Sequence, residues 1–159
     1  MGPAEDGPAA RLATARERVL AEHRGTLAAT LDVADTVATD AGAVSDGETL
    51  RRRFRRRLDD RGLLAAYPSV LRTAVEAAGL TLAAEPVAAP PYVVVASRGP
   101  VLRGSTDDGR LVLAIRAFDV RSRDPDPDSD PDLDPDQNTD RRYVRTSLST
   151  DDALVVTFR

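Results

Sequence analysis

The sequence predicts an α+β protein in which about three N-terminal helices pack on a small C-terminal antiparallel β-sheet. Apolar side chains recur at helical spacing up to about residue 79, whereas after residue 80 the period falls to two and β-branched residues become frequent. The chain has 159 residues, 42% of them hydrophobic, which suits one folded domain. We therefore expect a flexible tail at residues 1–7 and one domain at 8–159, with a helical part at 8–79 and a sheet part at 80–159.

The first predicted helix covers about residues 8 to 41. Its apolar residues recur three, four and seven positions apart, so they form one stripe along the helix. The stripe consists of Leu12, Val19, Leu20, His23, Leu27, Leu31, Ala34, Val37 and Ala41. Gly25 is expected to kink the helix or divide it in two. Gly42 is expected to end it, because glycine adopts the left-handed cap conformation without steric penalty.

Two shorter helices are predicted to follow. Ser45 and Glu48 have the S-x-x-E spacing of a capping box, so a second helix should begin there and run to about Asp60. A third helix is predicted from Pro68, which suits a first helical turn, to Gly79, which suits a C-terminal cap.

The sheet part begins with two candidate strands. The segment LTLA (80–83) favours a short strand. After a proline-rich link, YVVVAS (92–97) is apolar on both faces, which is typical of a central strand.

A hairpin and a terminal strand complete the predicted sheet. Asp108 and Gly109 indicate a type I′ turn between VLRGSTD and RLVLAIRAF. Counting outward from that turn places Leu102, Gly104 and Thr106 across from Ile115, Leu113 and Leu111 on the core face. The last strand is ALVVTF (153–158), and its expected inward set is Leu148, Leu154, Val156 and Phe158.

The segment at 123–140, RDPDPDSDPDLDPDQNTD, contains eight aspartates and four prolines. Proline removes backbone donors, neighbouring carboxylates repel, and Leu133 is the one apolar side chain, so we expect a disordered loop inserted between two sheet strands. A calcium site is the second interpretation. Pro131 stands where an EF-hand needs glycine, and Gln137 replaces its glutamate. A third interpretation is a charge clamp in which the loop lies over the arginine-rich helix.

The strongest local signal is LRRRFRRRL, in which Leu50, Phe54 and Leu58 form a narrow apolar stripe at i, i+4 and i+8. The rest of the helix surface carries a candidate interaction surface of six residues, Arg51, Arg52, Arg53, Arg55, Arg56 and Arg57. Clustered guanidiniums suit phosphate contacts with nucleic acid, and they also suit a solvated face or a face that binds a protein partner, which is the favoured interpretation. With about six phosphate contacts, raising salt from about 0.2 M to about 3 M weakens binding by on the order of six decades. A nucleic-acid partner is therefore disfavoured if the cytosol is very salty.

The sequence offers little support for catalysis or for a cofactor. Cysteine is absent and His23 is the single histidine; it falls on the first helix's apolar stripe, where a half-buried packing role is expected. The segment GPVLRGST (99–106) superficially resembles a phosphate-binding loop, but Ser105 occupies the lysine position. No catalytic, cofactor-binding or metal-binding residue is predicted. An enzyme with an apolar pocket stays open as an alternative, since such pockets leave little trace in one sequence.

Composition indicates the environment of the chain. All 22 basic residues are arginine, aspartates outnumber glutamates 20 to 6, and the formal net charge is −4. A lysine-free, aspartate-rich chain fits a GC-rich genome and a very salty cytosol, where arginine and carboxylate still pair at short range. No apolar run approaches a membrane span, and the start lacks a signal-peptide pattern, so we expect a cytoplasmic protein that binds no membrane.

Several strings carry a family resemblance. They are VLAEHR (19–24), PVAAPPYVVV (86–95), GPVLRGSTDDGRLVLAIRAFDV (99–120) and YVR (143–145). Together they resemble a small haloarchaeal family of uncharacterised proteins. The resemblance implies a haloarchaeal source and a compact α+β domain, and it implies no activity and no site residues.

These observations predict a halophilic, non-catalytic interaction or binding module. The partner is expected to be another protein or a second copy of the chain. A nucleic-acid-binding regulator that uses the arginine-rich helix at 50–61 and an enzyme with an unrecognised small-molecule pocket are the alternatives.

Overall fold

The computed structural model of the chain describes residues 7–41, 47–122, 141–146 and 148–159. It is an α+β structure, as the sequence predicts, with N-terminal helices and C-terminal antiparallel strands. Its elements are α1 (Pro8–Ala41), α2 (Gly47–Asp60), α3 (Leu63–Ala77), β1 (Val93–Ala96), β2 (Gly99–Thr106), β3 (Gly109–Ile115), β4 (Phe118–Ser122), β5 (Arg141–Arg145), α4 (Thr150–Ala153) and β6 (Leu154–Phe158).

Helix α1 has the predicted bounds and buries most of the predicted apolar stripe. The interruption lies at His23, whose backbone is non-helical (φ −124°, ψ 21°), and not at Gly25. The His23 side chain is half-buried, and its Nε2 lies 2.8 Å from Thr73 Oγ1 of α3. This bond ties the interruption in α1 to α3, which agrees with the packing role expected for the histidine.

Helix α2 ends at Asp60 as predicted, whereas its predicted cap Ser45 lies outside the described residues. Helix α3 begins at Leu63, five residues before the predicted start, so Pro68 lies inside the helix. Burial of Leu63 and Leu64 favours this earlier start, because packing outweighs the hydrogen bond that proline cannot donate.

The main sheet has four antiparallel strands in the order β1-β2-β3-β6. The prediction that residues 92–97 form a central strand is therefore wrong, because β1 is at the edge. Its apolar character has another cause: Val93 and Val95 face the core, and Val94 is half-buried beside α2. The predicted strand at 80–83 reduces to one bridge, Leu82 with Thr106.

The β2–β3 hairpin differs from the predicted register by two residues. Leu102 pairs with Leu113, and Gly104 pairs with Leu111. A type I′ turn needs positive φ at both central residues, and among the described residues positive φ occurs at glycines alone. Asp107 and Asp108 therefore form a different turn. Because side chains alternate with a period of two, the even shift leaves the same residues on the core face.

The remaining strands form a second sheet and the end of the main one. β4 and β5 pair antiparallel, from Phe118 with Arg145 to Ser122 with Arg141. The acidic segment at 123–140, with its predicted disorder, calcium and charge-clamp interpretations, lies outside the described residues. In β6, Leu154, Val156 and Phe158 pair across from Ile115, Leu113 and Leu111, so these three members of the predicted inward set are confirmed. The fourth, Leu148, lies before β6 and packs against the core partly buried.

Helices and strands contribute to one hydrophobic core cluster. Its largest fully buried side chains include Tyr67, Phe54, Phe118, Leu27, Leu50, Leu58, Leu71, Leu102, Leu111, Leu113, Ile115 and Leu154. Leu50, Phe54 and Leu58 of α2 belong to this cluster, as the narrow apolar stripe predicts. Burial of that stripe fixes which side of α2 faces outward.

Candidate functional site: an arginine face and two adjoining grooves

Helix α2 presents a cationic surface that we call the arginine face: Arg51, Arg52, Arg53, Arg55, Arg56 and Arg57. All six side chains are exposed, because the three apolar residues at i, i+4 and i+8 occupy the one side that packs on the core. Arg57 interacts with another residue. The other five form no ion pair with any residue that the structure describes.

Two grooves are lined by arginines of the arginine face. The first, the α2–β1 groove, is lined by Arg51, Arg52, Arg55, Leu64, Ala88, Pro90, Val93, Val94 and Val95. The second, the outer groove, is lined by Thr49, Arg52, Arg53 and Arg56. Residues four apart lie one above the other on a helix, so Arg51 with Arg55 and Arg52 with Arg56 form neighbouring rows. Arg52 borders both grooves.

The α2–β1 groove combines a charged wall with an apolar wall. Its arginines come from α2, and its apolar side is formed by Leu64, Ala88, Pro90 and the β1 valines. Its volume of about 190 Å³ is below the roughly 300 Å³ at which small-molecule pockets usually begin. The groove is therefore suited to a side chain of a larger ligand more than to a whole metabolite.

Sequence reasoning found the arginines of this site and missed its other wall. Residues 88–95 are separated from α2 by about one helix in sequence, so no local pattern joins them to Arg51. One signal was present: Pro90 and Pro91 lie just before β1 and have no backbone N–H to donate to a neighbouring strand, which is typical of an edge position.

Beyond the arginine face, the described residues form no metal site and no membrane-spanning helix. Within these ranges no group of three or more His, Asp or Glu side chains is placed to hold a metal ion. No described helix has the length and apolar character needed to cross a membrane. The buried Tyr67 hydroxyl is bonded to Thr30 and lines neither groove of the arginine face.

The fold and the site define an α+β protein with a cationic surface helix beside the edge of its sheet. The chain belongs to the family described as Domain of unknown function (DUF7988), whose model matches residues 13–159. No curated protein and no solved structure matches it. Membership in a family of unknown function agrees with the resemblance to an uncharacterised family.

Proposed function

We propose that this chain is a non-catalytic interaction module whose arginine face binds an acidic surface of another protein. The observation that carries the proposal is the set of five exposed arginines that have no ion-pair partner among the described residues, although the chain has more acids than bases. Guanidinium groups that are left unpaired at the surface are available to carboxylates of a partner, which they bind with two parallel hydrogen bonds.

The proposal includes the setting of the protein. We infer a haloarchaeal source and a cytoplasmic location, with residues 8–159 acting as one domain. The support is compositional: arginine without lysine, a surplus of aspartate and no cysteine. At about 1 M salt the Debye length is about 3 Å, so only groups in direct contact attract each other. Paired contacts between forked guanidiniums and carboxylates keep more of their strength under these conditions than long-range attraction does.

Co-purification in molar KCl tests the proposal. A companion protein supports it if recovery of that protein depends on the arginine face. The face variant replaces Arg51, Arg52, Arg53, Arg55 and Arg56 by Gln, which keeps helix propensity similar. The matched control makes the same five-charge change at exposed arginines elsewhere, namely Arg11, Arg98, Arg103, Arg110 and Arg116.

We expect wild type and control to retain the same companion in fixed stoichiometry and the face variant to lose it. The companion, once identified by mass spectrometry and purified, should bind the wild type directly. Equal recovery with all three proteins contradicts the proposal. Nuclease-sensitive recovery, or DNA binding that depends on the arginine face and persists in molar KCl, assigns the face to nucleic acid instead.

A further inference from the structure

The pairing of β1 with β2 indicates where the backbone groups beside the α2–β1 groove point. Arg103 N–H donates to the Tyr92 carbonyl over 2.8 Å, which marks Tyr92 and Arg103 as a bonded pair of the β1–β2 ladder. Bonded pairs alternate in an antiparallel ladder, so Val94 with Val101 and Ala96 with Gly99 are bonded as well. The backbone groups of Val95 therefore point away from β2.

The outer edge of β1 forms few hydrogen bonds with the described residues. Val93 N–H donates to the Ala89 carbonyl over 3.1 Å. No described strand pairs with the outer edge, and Val95 lines the groove that Arg51 and Arg55 border. A buried backbone N–H is stabilised by an acceptor, and an anion is the acceptor that the neighbouring arginines also favour.

We propose that the α2–β1 groove is the anchoring subsite for a single aspartate or glutamate side chain of the partner protein. This inference rests on the proposed function and names the chemistry that the site recognises. Arg51 and Arg55 bind the carboxylate oxygens, and the Val95 N–H donates to the same group. The methylene groups of the anchoring side chain pack on Leu64, Val94 and Pro90.

The shape of the groove favours a carboxylate on a polypeptide over a nucleic acid. No aromatic residue lines it, so it lacks the side chains on which bases most often stack. Its volume of about 190 Å³ and its apolar wall suit a short aliphatic stem that ends in an anion. Charge complementarity supplies the rest of the recognition, since the arginines bordering it have no ion-pair partner among the described residues.

Two charge-matched variants of the full chain test the subsite. R51Q/R55Q removes arginines of the α2–β1 groove, and R53Q/R56Q removes the same charge from the outer groove of the same helix. The probe is a short synthetic peptide in which glutamate alternates with threonine, compared with its glutamine counterpart and with inorganic phosphate. Affinity is measured calorimetrically at low and at molar KCl, and the Val95 amide is followed by NMR.

We expect the glutamate peptide to bind wild type. Its affinity for R51Q/R55Q should be lower by about tenfold or more, because a hydrogen bond to a charged group typically contributes at least that factor. Its affinity for R53Q/R56Q should be lower by less than about threefold. The Val95 amide should shift on binding to wild type. Equal losses in the two variants overturn the subsite while the arginine face as a whole stands.

Other outcomes also overturn the subsite. If the glutamine peptide binds as tightly as the glutamate peptide, the groove does not recognise a carboxylate. If stoichiometric inorganic phosphate displaces the peptide, the groove is a phosphate site. If the peptide does not bind at all, the proposed subsite is wrong. The co-purification experiment then tests the proposed function separately. Dimerisation of the free protein that R51Q/R55Q abolishes assigns the groove to a second copy.

Discussion

The hydroxyl oxygens of Thr30 and Tyr67 lie 2.7 Å apart between α1 and α3, where neither residue has exposed surface. Thr30 also donates to the Thr26 carbonyl over 2.9 Å. A threonine hydroxyl has one proton, so the Tyr67 hydroxyl donates the bond that the two side chains share. The pair joins two helices within a largely apolar core and leaves neither hydroxyl without a partner.

Removing one member of this pair should have unequal effects. Tyr67→Phe is expected to lower the free energy of unfolding by about 1 kcal/mol, because Thr30 keeps its bond to Thr26. Thr30→Val strands the buried Tyr67 hydroxyl and should cost about 1–3 kcal/mol. Urea denaturation of both variants and of the double variant measures the coupling. A double variant whose loss equals the sum of the single losses contradicts the interaction.

The same tyrosine predicts a pH dependence of stability. Burial raises the pKa of the Tyr67 hydroxyl well above its ordinary value of 10.0. Above pH 10 the unfolded chain loses this proton while the folded chain keeps it. Stability should therefore be unaffected below that pH and should fall above it, by up to about 1.4 kcal/mol per pH unit. Denaturation midpoints across alkaline pH measure the slope, and Tyr67→Phe should lack this component.

Two glycines should respond to alanine with opposite signs. Gly99 has φ +148°, and an added Cβ would lie 1.8 Å from the Ile115 carbonyl oxygen. Gly99→Ala should destabilise by about 3 kcal/mol or more, because the obstructing atom is backbone. At Gly25, within α1, an added Cβ meets nothing within 4 Å. Gly25→Ala should stabilise by about 0.5–1 kcal/mol. Thermal melts compare the two, and loss of stability in both would contradict the unobstructed site at Gly25.

The extent of sequence prediction follows from how local each signal is. The bounds of α1 and the end of α2 were predictable because the spacing of apolar side chains is a signal between near neighbours in the sequence. The edge position of β1 and the hairpin register depend on pairing between distant segments, which one sequence does not record. The arginine face followed from the i, i+4 stripe of Leu50, Phe54 and Leu58. The groove wall at Val94 did not, because it is brought to α2 by the fold alone.

An aromatic pair holds α2 in place and should show measurable coupling. The rings of Phe54 and Phe118 meet edge to face, with centroids 5.3 Å apart and planes at 89°. This contact connects α2 to β4. In a double-mutant cycle with Phe54→Leu and Phe118→Leu, we expect a coupling of about 0.5–1.5 kcal/mol in unfolding free energy. Additive losses would show that the rings contribute through burial alone.

Substitution of two arginines should distinguish a structural role from an interaction role. Arg16 of α1 donates through Nε to the Leu154 carbonyl over 3.2 Å and through a second nitrogen to the Asp151 carbonyl, so it joins α1 to the start of β6. Arg16→Gln should lower the free energy of unfolding by about 1–3 kcal/mol, because carbonyl groups at that junction lose a charged donor. Arg52→Gln makes the same change on the arginine face and should alter stability by less than about 0.5 kcal/mol.

Urea denaturation of both variants at several KCl concentrations is the measurement. The effect of Arg16→Gln should persist in molar KCl, because direct hydrogen bonds between partly buried groups are screened less than exposed charges. Its matched partner Arg52→Gln should stay near wild type at every concentration. If Arg52→Gln instead destabilises the fold as strongly as Arg16→Gln, the arginine face is structural, and its availability to a partner loses its physical basis.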